Sequence, residues 1–154
     1  LKLRIPWWVQ GQARITLNGQ PLALDCHPGT FASLERLWSR DTLRVEFPRA
    51  LTLAPLPDAP HTAAFMHGPA VLAELLGPGS AAWNGCLEEP TLTGDPAHPE
   101  SFLQPDNERE WGEWQGGWRA RGQPVNRRFV PLHQVEDQRY AVYFNVRPPA
   151  LKTA

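Results

Sequence analysis

The sequence predicts an all-β protein, a jelly-roll-like antiparallel β-sandwich carrying one long irregular excursion, and three observations predict it. Several short runs alternate apolar and polar residues with a period of two, which sends one set of side chains to a core and the other to solvent. Turn residues separate the runs at intervals of about 8–12 positions, the spacing of a sandwich rather than of βαβ units. Proline takes 17 of the 154 positions, about twice its usual share of ~5%, and its fixed φ and missing N–H work against long helices. A chain of this length buries roughly 70% of the surface it exposes when unfolded, so one substantial core is expected.

The elements follow in order. Residues 1–9 are β-formers bent at Pro6, suited to an edge or first strand. Residues 13–17 alternate strictly, stop at Asn18-Gly19 and resume at residues 21–24. Asn-Gly accepts the two positive φ angles of a type I′ turn, so this stretch predicts a hairpin. After His27-Pro28-Gly29, residues 31–38 read as a strand, although residues 34–37 also fit one helical turn. Leu43, Val45 and Phe47 share one face of a half-buried strand. Residues 50–56 form a further strand that runs into a proline-rich bend. Residues 61–66 and 70–76 flank the turn His67-Gly68-Pro69.

From residue 77 to 127 the regularity fails, and this stretch is the excursion. A structureless loop of that length is improbable in a compact domain, so it should hold short strands or lay its aromatics on the sandwich. Order returns at residues 128–132 and 139–146, where Tyr140, Val142, Phe144 and Val146 share a face and little charge lies on either side. The expected organisation is one domain over residues 1–147, its body built from 1–76 and 128–147, with a tail at 148–154. The chain begins at Leu1 rather than Met, with no charged or apolar leader before its first strand residues, and reads as a piece of a longer protein.

Lysine and arginine number 15 and aspartate and glutamate 16, for a net charge of −1. Such balance carries no electrostatic footprint for nucleic acid or an anionic membrane, and no apolar run approaches the ~20 residues of a membrane helix. Two cysteines, Cys26 and Cys86, lie far apart without a C-x-x-C, and the histidines at 27, 61, 67, 98 and 133 have no ligand spacing. A catalytic zinc needs three converging protein ligands, so both cysteines read as small buried hydrophobes and no metal site is predicted. Glycoside hydrolysis requires two carboxyls facing each other roughly 5–10 Å apart. Glu88-Glu89 and Glu136-Asp137 are sequence neighbours, which on a strand point to opposite faces, so no catalytic residue is predicted either.

Tryptophan stands out, at 7 of 154 residues. Trp111, Trp114 and Trp118 cluster in the least regular stretch among Glu108, Arg109, Glu110, Glu113, Arg119 and Arg121. Three readings stand side by side. The indoles can stack on sugar C–H faces as a carbohydrate-binding platform; at spacings of three and four they can line a short helix or anchor a loop on the core; or they can be buried against another domain. Trp7, Trp8 and Trp38 are assigned to the sandwich core or its rim.

Several stretches together resemble one family. Leu3-Arg4-Ile5-Pro6-Trp7-Trp8 is similar to the opening of the β-sandwich that follows the catalytic barrel in glycoside hydrolase family 127, the β-L-arabinofuranosidases and their relatives. Thr16-Leu17-Asn18-Gly19-Gln20 resembles the family's hairpin, and Leu34-Glu35-Arg36-Leu37-Trp38 its Arg-x-Trp strand. His67-Gly68-Pro69-Ala70-Val71-Leu72-Ala73 resembles a Gly-Pro turn and strand, and Phe129-Val130-Pro131-Leu132-His133 with residues 137–144 the closing strands. One departure is Arg40 before Asp41, where the family has Gly before Asp, which leaves the turn type open. The Trp-rich stretch 108–119 matches no block of the family.

The resemblance implies a non-catalytic C-terminal part of a bacterial, exo-acting hydrolase of β-L-arabinofuranosides. It implies an upstream (α/α)6 barrel of the same polypeptide as partner, with a zinc-bound thiolate nucleophile, a glutamate and a cysteine cluster there. None of those residues maps onto this chain, so zinc belongs to the barrel and no cofactor to the chain. The expected role is to brace the barrel, with a glycan as ligand in the alternative, an independent carbohydrate-binding module. An apolar face stripped of its barrel also leads one to expect self-association.

Overall fold

Between residues 13 and 47 the alternating runs become sheet. In the computed structural model, which describes residues 1–76, 90–110 and 113–149 and only the backbone at 107–110 and 113–116, β2 (Arg14–Leu17) pairs antiparallel with β5 (Leu43–Glu46) and with β3 (Gln20–Pro21). Asn18 and Gly19 at the β2–β3 corner have φ of 51° and 80°, the two left-handed positions of the expected I′ turn. A second, two-stranded sheet pairs β1 (Lys2–Arg4) with β4 (Phe31–Ser33). One core draws on both sheets: Ile5, Val9, Ala13, Ile15, Cys26 and Ala32 are buried together, with Leu3, Leu43, Val45 and Phe47 against them. Trp8 meets Phe47 edge to face at 5.8 Å, as a core residue should, whereas Trp7 is exposed.

The strand expected over residues 31–38 ends at Ser33. Residues 34–41 form a loop instead, in which Ser39 N donates to Asp41 Oδ2.

These elements make up one compact unit, Leu1–Ala50, and the remainder forms a second, Leu51–Ala154. Each has its own core, where the periodicity had suggested one body over residues 1–147. In the second unit a nine-stranded sheet runs in the order β10-β11-β12-β8-β7-β14-β9, with β6 on β7 and β13 on β8. Its strands are β6 (Leu51–Pro55), β7 (Thr62–His67), β8 (Ala70–Leu75), β9 (Thr91–Thr93), β10 (Leu103–Glu110), β11 (Glu113–Ala120), β12 (Arg127–Pro131), β13 (Tyr140–Ala141) and β14 (Phe144–Arg147). Every pairing is antiparallel except β14 with β9, which is parallel. The β7–β8 corner uses Gly68 at φ 59° followed by Pro69, the positive-then-negative order of a type II′ turn. Phe65, Leu72, Leu92, Phe102, Leu103, Phe129 and Phe144 form the core.

The stretch 77–127 holds strands and core aromatics, as its length required: among its described residues lie β9, β10 and β11, and Leu92, Phe102 and Leu103 supply part of the core. One expectation changes. The closing run 139–146 is two strands, not one. β13 pairs with β8, while β14 lies between β7 and β9. Ala141 and Phe144, an odd number of residues apart, both join the core; a continuous strand would put them on opposite faces.

Candidate functional site

Trp118 lies on β11 opposite Phe129 of β12 and Pro105 of β10. Paired residues share a sheet face, so the indole is directed to the side of the buried Phe129, and it packs there against the core. The His67 ring meets it at 4.8 Å. For this one residue the core-anchoring reading holds. Trp114 is on the same strand, opposite Arg109, so the helical stripe suggested by spacings of three and four is replaced by a β-hairpin. Trp111 lies outside the described residues, and the side chain of Trp114 does too.

The first unit contains a more definite constellation, which joins two loops distant in sequence. Asn18 Nδ2 donates to Asp41 Oδ1 at 2.7 Å, and Asn18 Oδ1 accepts from Thr42 N at 2.8 Å. Asp41 Oδ2 accepts from Ser39 N at 3.1 Å, and Arg36 Nη2 lies 3.2 Å from Asp41 Oδ1. The Arg36 guanidinium also sits over the Trp38 ring, 5.6 Å from its centroid. The hairpin tip, the carboxylate, the arginine and the indole are thereby held as a set. Each residue stands in a stretch that carries the family resemblance, but their joining was not visible as a motif. The usable signal was Asn18-Gly19 together with Arg36-x-Trp38-x-x-Asp41.

Hydrogen bonds from Asn18 first, then from Ser39, and the charge of Arg36 hold the Asp41 carboxyl below its ordinary value of 3.8. A carboxyl with a depressed folded pKa stabilises the fold above its unfolded pKa and loses that contribution as pH falls through the folded one. The destabilisation caused by Asp41→Asn should therefore be full near neutrality and shrink once pH drops below 3.8. Denaturation midpoints of both proteins across that range check this; a pH-independent gap would contradict it. Arg40, where the family has Gly, adopts φ 51°. A left-handed residue with a Cβ costs about 1–2 kcal/mol, and Gly returns about 0.5–1 kcal/mol of that as unfolded-chain entropy. Arg40→Gly should gain about 0.5 kcal/mol, read as a higher urea midpoint at unchanged m.

The groups weighed for chemistry do not converge. Cys26 is buried, and burial first, then the neighbouring charge of Asp25, push its thiol above 9.0, so it is a poor nucleophile at neutral pH. Cys86, Glu88 and Glu89 lie outside the described residues. Glu136 and Asp137 are exposed side by side. His27 pairs with Asp25 at 3.0 Å and His98 with Glu100 at 3.3 Å, both on the surface. A shallow cleft of about 270 Å³ in the second unit is lined chiefly by Leu53, Pro55, Pro60, His61, Ala63 and Val146. It has one titratable group and no carboxylate pair, so it lacks the constellation of a glycosidase. Among the described residues no group of three or more His, Cys, Asp or Glu is placed to hold a metal ion. The zinc implied by the resemblance thus has no ligand set among them.

Residues 1–49 match the family described as β-L-arabinofuranosidase, GH127 middle domain. That span includes three of the resembling blocks, those at residues 3–8, 16–20 and 34–38. Solved structures share the fold, among them two glycoside hydrolases. One, described as a glycoside hydrolase, superposes with a TM-score of 0.60 at 20% identity over 94% of this chain and 27% of its own. The other, a GH127 β-L-arabinofuranosidase from Geobacillus stearothermophilus T6, has a TM-score of 0.59 at 21% identity over 95% of this chain and 26% of its own. No curated protein matches. The chain is family 127-like in sequence through residue 49 and in fold through nearly its whole length, and it spans about a quarter of each structure that it resembles.

Proposed function

We propose that this chain is a non-catalytic β-sandwich part of a glycoside hydrolase similar to the family 127 β-L-arabinofuranosidases, and that its work is to brace the catalytic barrel of the same polypeptide. The observation that carries this reading is the match of residues 1–49 to the middle domain of that family, in a chain covering only 26–27% of the enzymes whose fold it shares. The chemistry of the described residues agrees with it. The accessible cleft offers one imidazole, and the buried thiol is held protonated. A scaffold of this kind contributes by holding one wall of a site in place and keeping water from it.

The test compares the intact protein with this chain alone on p-nitrophenyl β-L-arabinofuranoside. The intact protein should release p-nitrophenol and the chain alone should not; turnover by the chain, abolished by Glu88→Gln or Glu89→Gln, would overturn the reading. Titration calorimetry of the chain with arabino-oligosaccharides should show no heat. A binding heat that disappears in Trp111→Ala or Trp114→Ala would make the chain a carbohydrate-binding module instead.

A further inference from the structure

We propose that Asn18 is a site of spontaneous covalent conversion, deamidation to aspartate or isoaspartate, and that Asp41 is the latch that holds it back in the folded chain. Asn18 and Gly19 are both exposed at the β2–β3 corner, and a Cβ placed on Gly19 would meet no atom within 4 Å. The corner is therefore open to water, and no side chain on Gly19 hinders its nitrogen. The reaction needs only the corner and solvent. Gly19 N gives up its proton and bonds to Asn18 Cγ, and the side-chain nitrogen leaves as ammonia. Water then opens the cyclic imide. Cleavage at Cγ leaves aspartate in the chain, and cleavage at the Asn18 main-chain carbonyl leaves isoaspartate, with the backbone rerouted through the side chain.

The fold opposes the first step. Ring closure requires Cγ to turn toward Gly19 N, and two hydrogen bonds aim the amide at residues 41 and 42 instead. Asn18 Nδ2 donates to Asp41 Oδ1 at 2.7 Å, and Asn18 Oδ1 accepts from Thr42 N at 2.8 Å. The backbone is tied as well, since Asn18 N donates to Thr42 O at 2.8 Å. Asp41 cannot follow the amide outward: its side chain is 6% exposed, receives Ser39 N and pairs with Arg36. A hydrogen bond to an ionised acceptor is stronger than one between neutral groups, so the Asp41 bond governs how often the amide swings free. Conversion is one-way and undoes the latch. The product has no N–H to give Asp41, and it sets a second carboxylate beside the first, where like charges repel. The hairpin tip is then no longer tied to the loop that carries Arg36 and Trp38.

The experiment incubates the full chain and its variants at neutral pH without denaturant. Deamidation is followed by mass spectrometry of the tryptic peptide 15–36, in which Asn18 is the only asparagine, with a synthetic peptide of residues 13–24 as the unlatched reference. Asp41→Ala should deamidate at least about tenfold faster than the parent chain, as for a group that reacts only on local opening. Val45→Ala, which weakens the core of the same unit and leaves the latch intact, should deamidate clearly more slowly than Asp41→Ala. A parent chain as fast as the peptide, or an Asp41→Ala variant no faster than the parent, would overturn the latch. So would Val45→Ala matching Asp41→Ala, since general loosening of the unit would then be the cause. Urea denaturation tests the product. Asn18→Asp should lower the midpoint, and Asn18→Asp combined with Asp41→Asn, which again sets a donor opposite an acceptor, should recover most of that loss. An unchanged midpoint for Asn18→Asp would overturn the unlatching.

Discussion

Glu74→Ala should destabilise the second unit by about 3–5 kcal/mol, because it strands a buried guanidinium. Glu74 on β8 and Arg127 on β12 form a bidentate pair, Nε to Oε1 and Nη2 to Oε2 both at 2.6 Å, with side chains 7% and 10% exposed. Arg127 Nη1 donates further to Thr91 O at 2.5 Å, and its guanidinium lies 5.9 Å from the Phe144 ring centroid. One cation thus ties β12 to β8 and β9 and lies against a β14 ring. Removing the carboxylate leaves that cation desolvated, with a single acceptor at the end of its fork. The double variant Glu74→Leu, Arg127→Met should cost less than Glu74→Ala alone, since an apolar pair of similar bulk replaces a buried ion pair far better than half a pair does. Urea denaturation followed by far-UV circular dichroism measures both. A loss below about 1 kcal/mol for Glu74→Ala would place the pair in the class of water-screened ion pairs and refute the argument.

Phe65→Ala should cost a similar amount, about 3–5 kcal/mol, for a different reason. Phe65 on β7 is fully buried, and its ring lies 5.9 Å from Phe102, 5.8 Å from Phe129 and 5.6 Å from Phe144. Truncation opens a cavity where three rings meet and removes edge-to-face contacts worth about 0.5–1.5 kcal/mol each beyond area burial. Phe65→Leu retains most of the volume and should cost clearly less, about 1–2 kcal/mol. If both variants lost the same amount, filling the space would not be what Phe65 contributes.

How much of this was legible in the sequence depends on how far apart the partners are. The Asn18-Gly19 corner, the β2 and β5 faces and the β7–β8 turn were all readable, because each is decided by residues within a few positions of one another. The strands of segment 77–127 were not, since β11 lies on β12 and β9 on β14, pairings that no local pattern encodes. Trp114 and Trp118 show the limit most plainly. Their spacing fits a helix as well as a strand, and cross-strand partners settled the matter. Of the candidate site, Asn18, Arg36, Trp38 and Asp41 were each conspicuous, but the bond joining Asn18 to Asp41 spans 23 positions.

By itself, then, the sequence determined the all-β class, the hairpin corners, the near-neutral charge and the likeness to family 127, since backbone preference, side-chain alternation and composition are local properties. Only the tertiary structure decided that the chain gathers into two cores, that the closing run breaks between β13 and β14, and that Trp118 serves the core. It alone brought Glu74 to Arg127 across 53 positions. Those outcomes depend on which distant surfaces exclude water from each other, and burial between remote segments leaves no periodic trace along the chain.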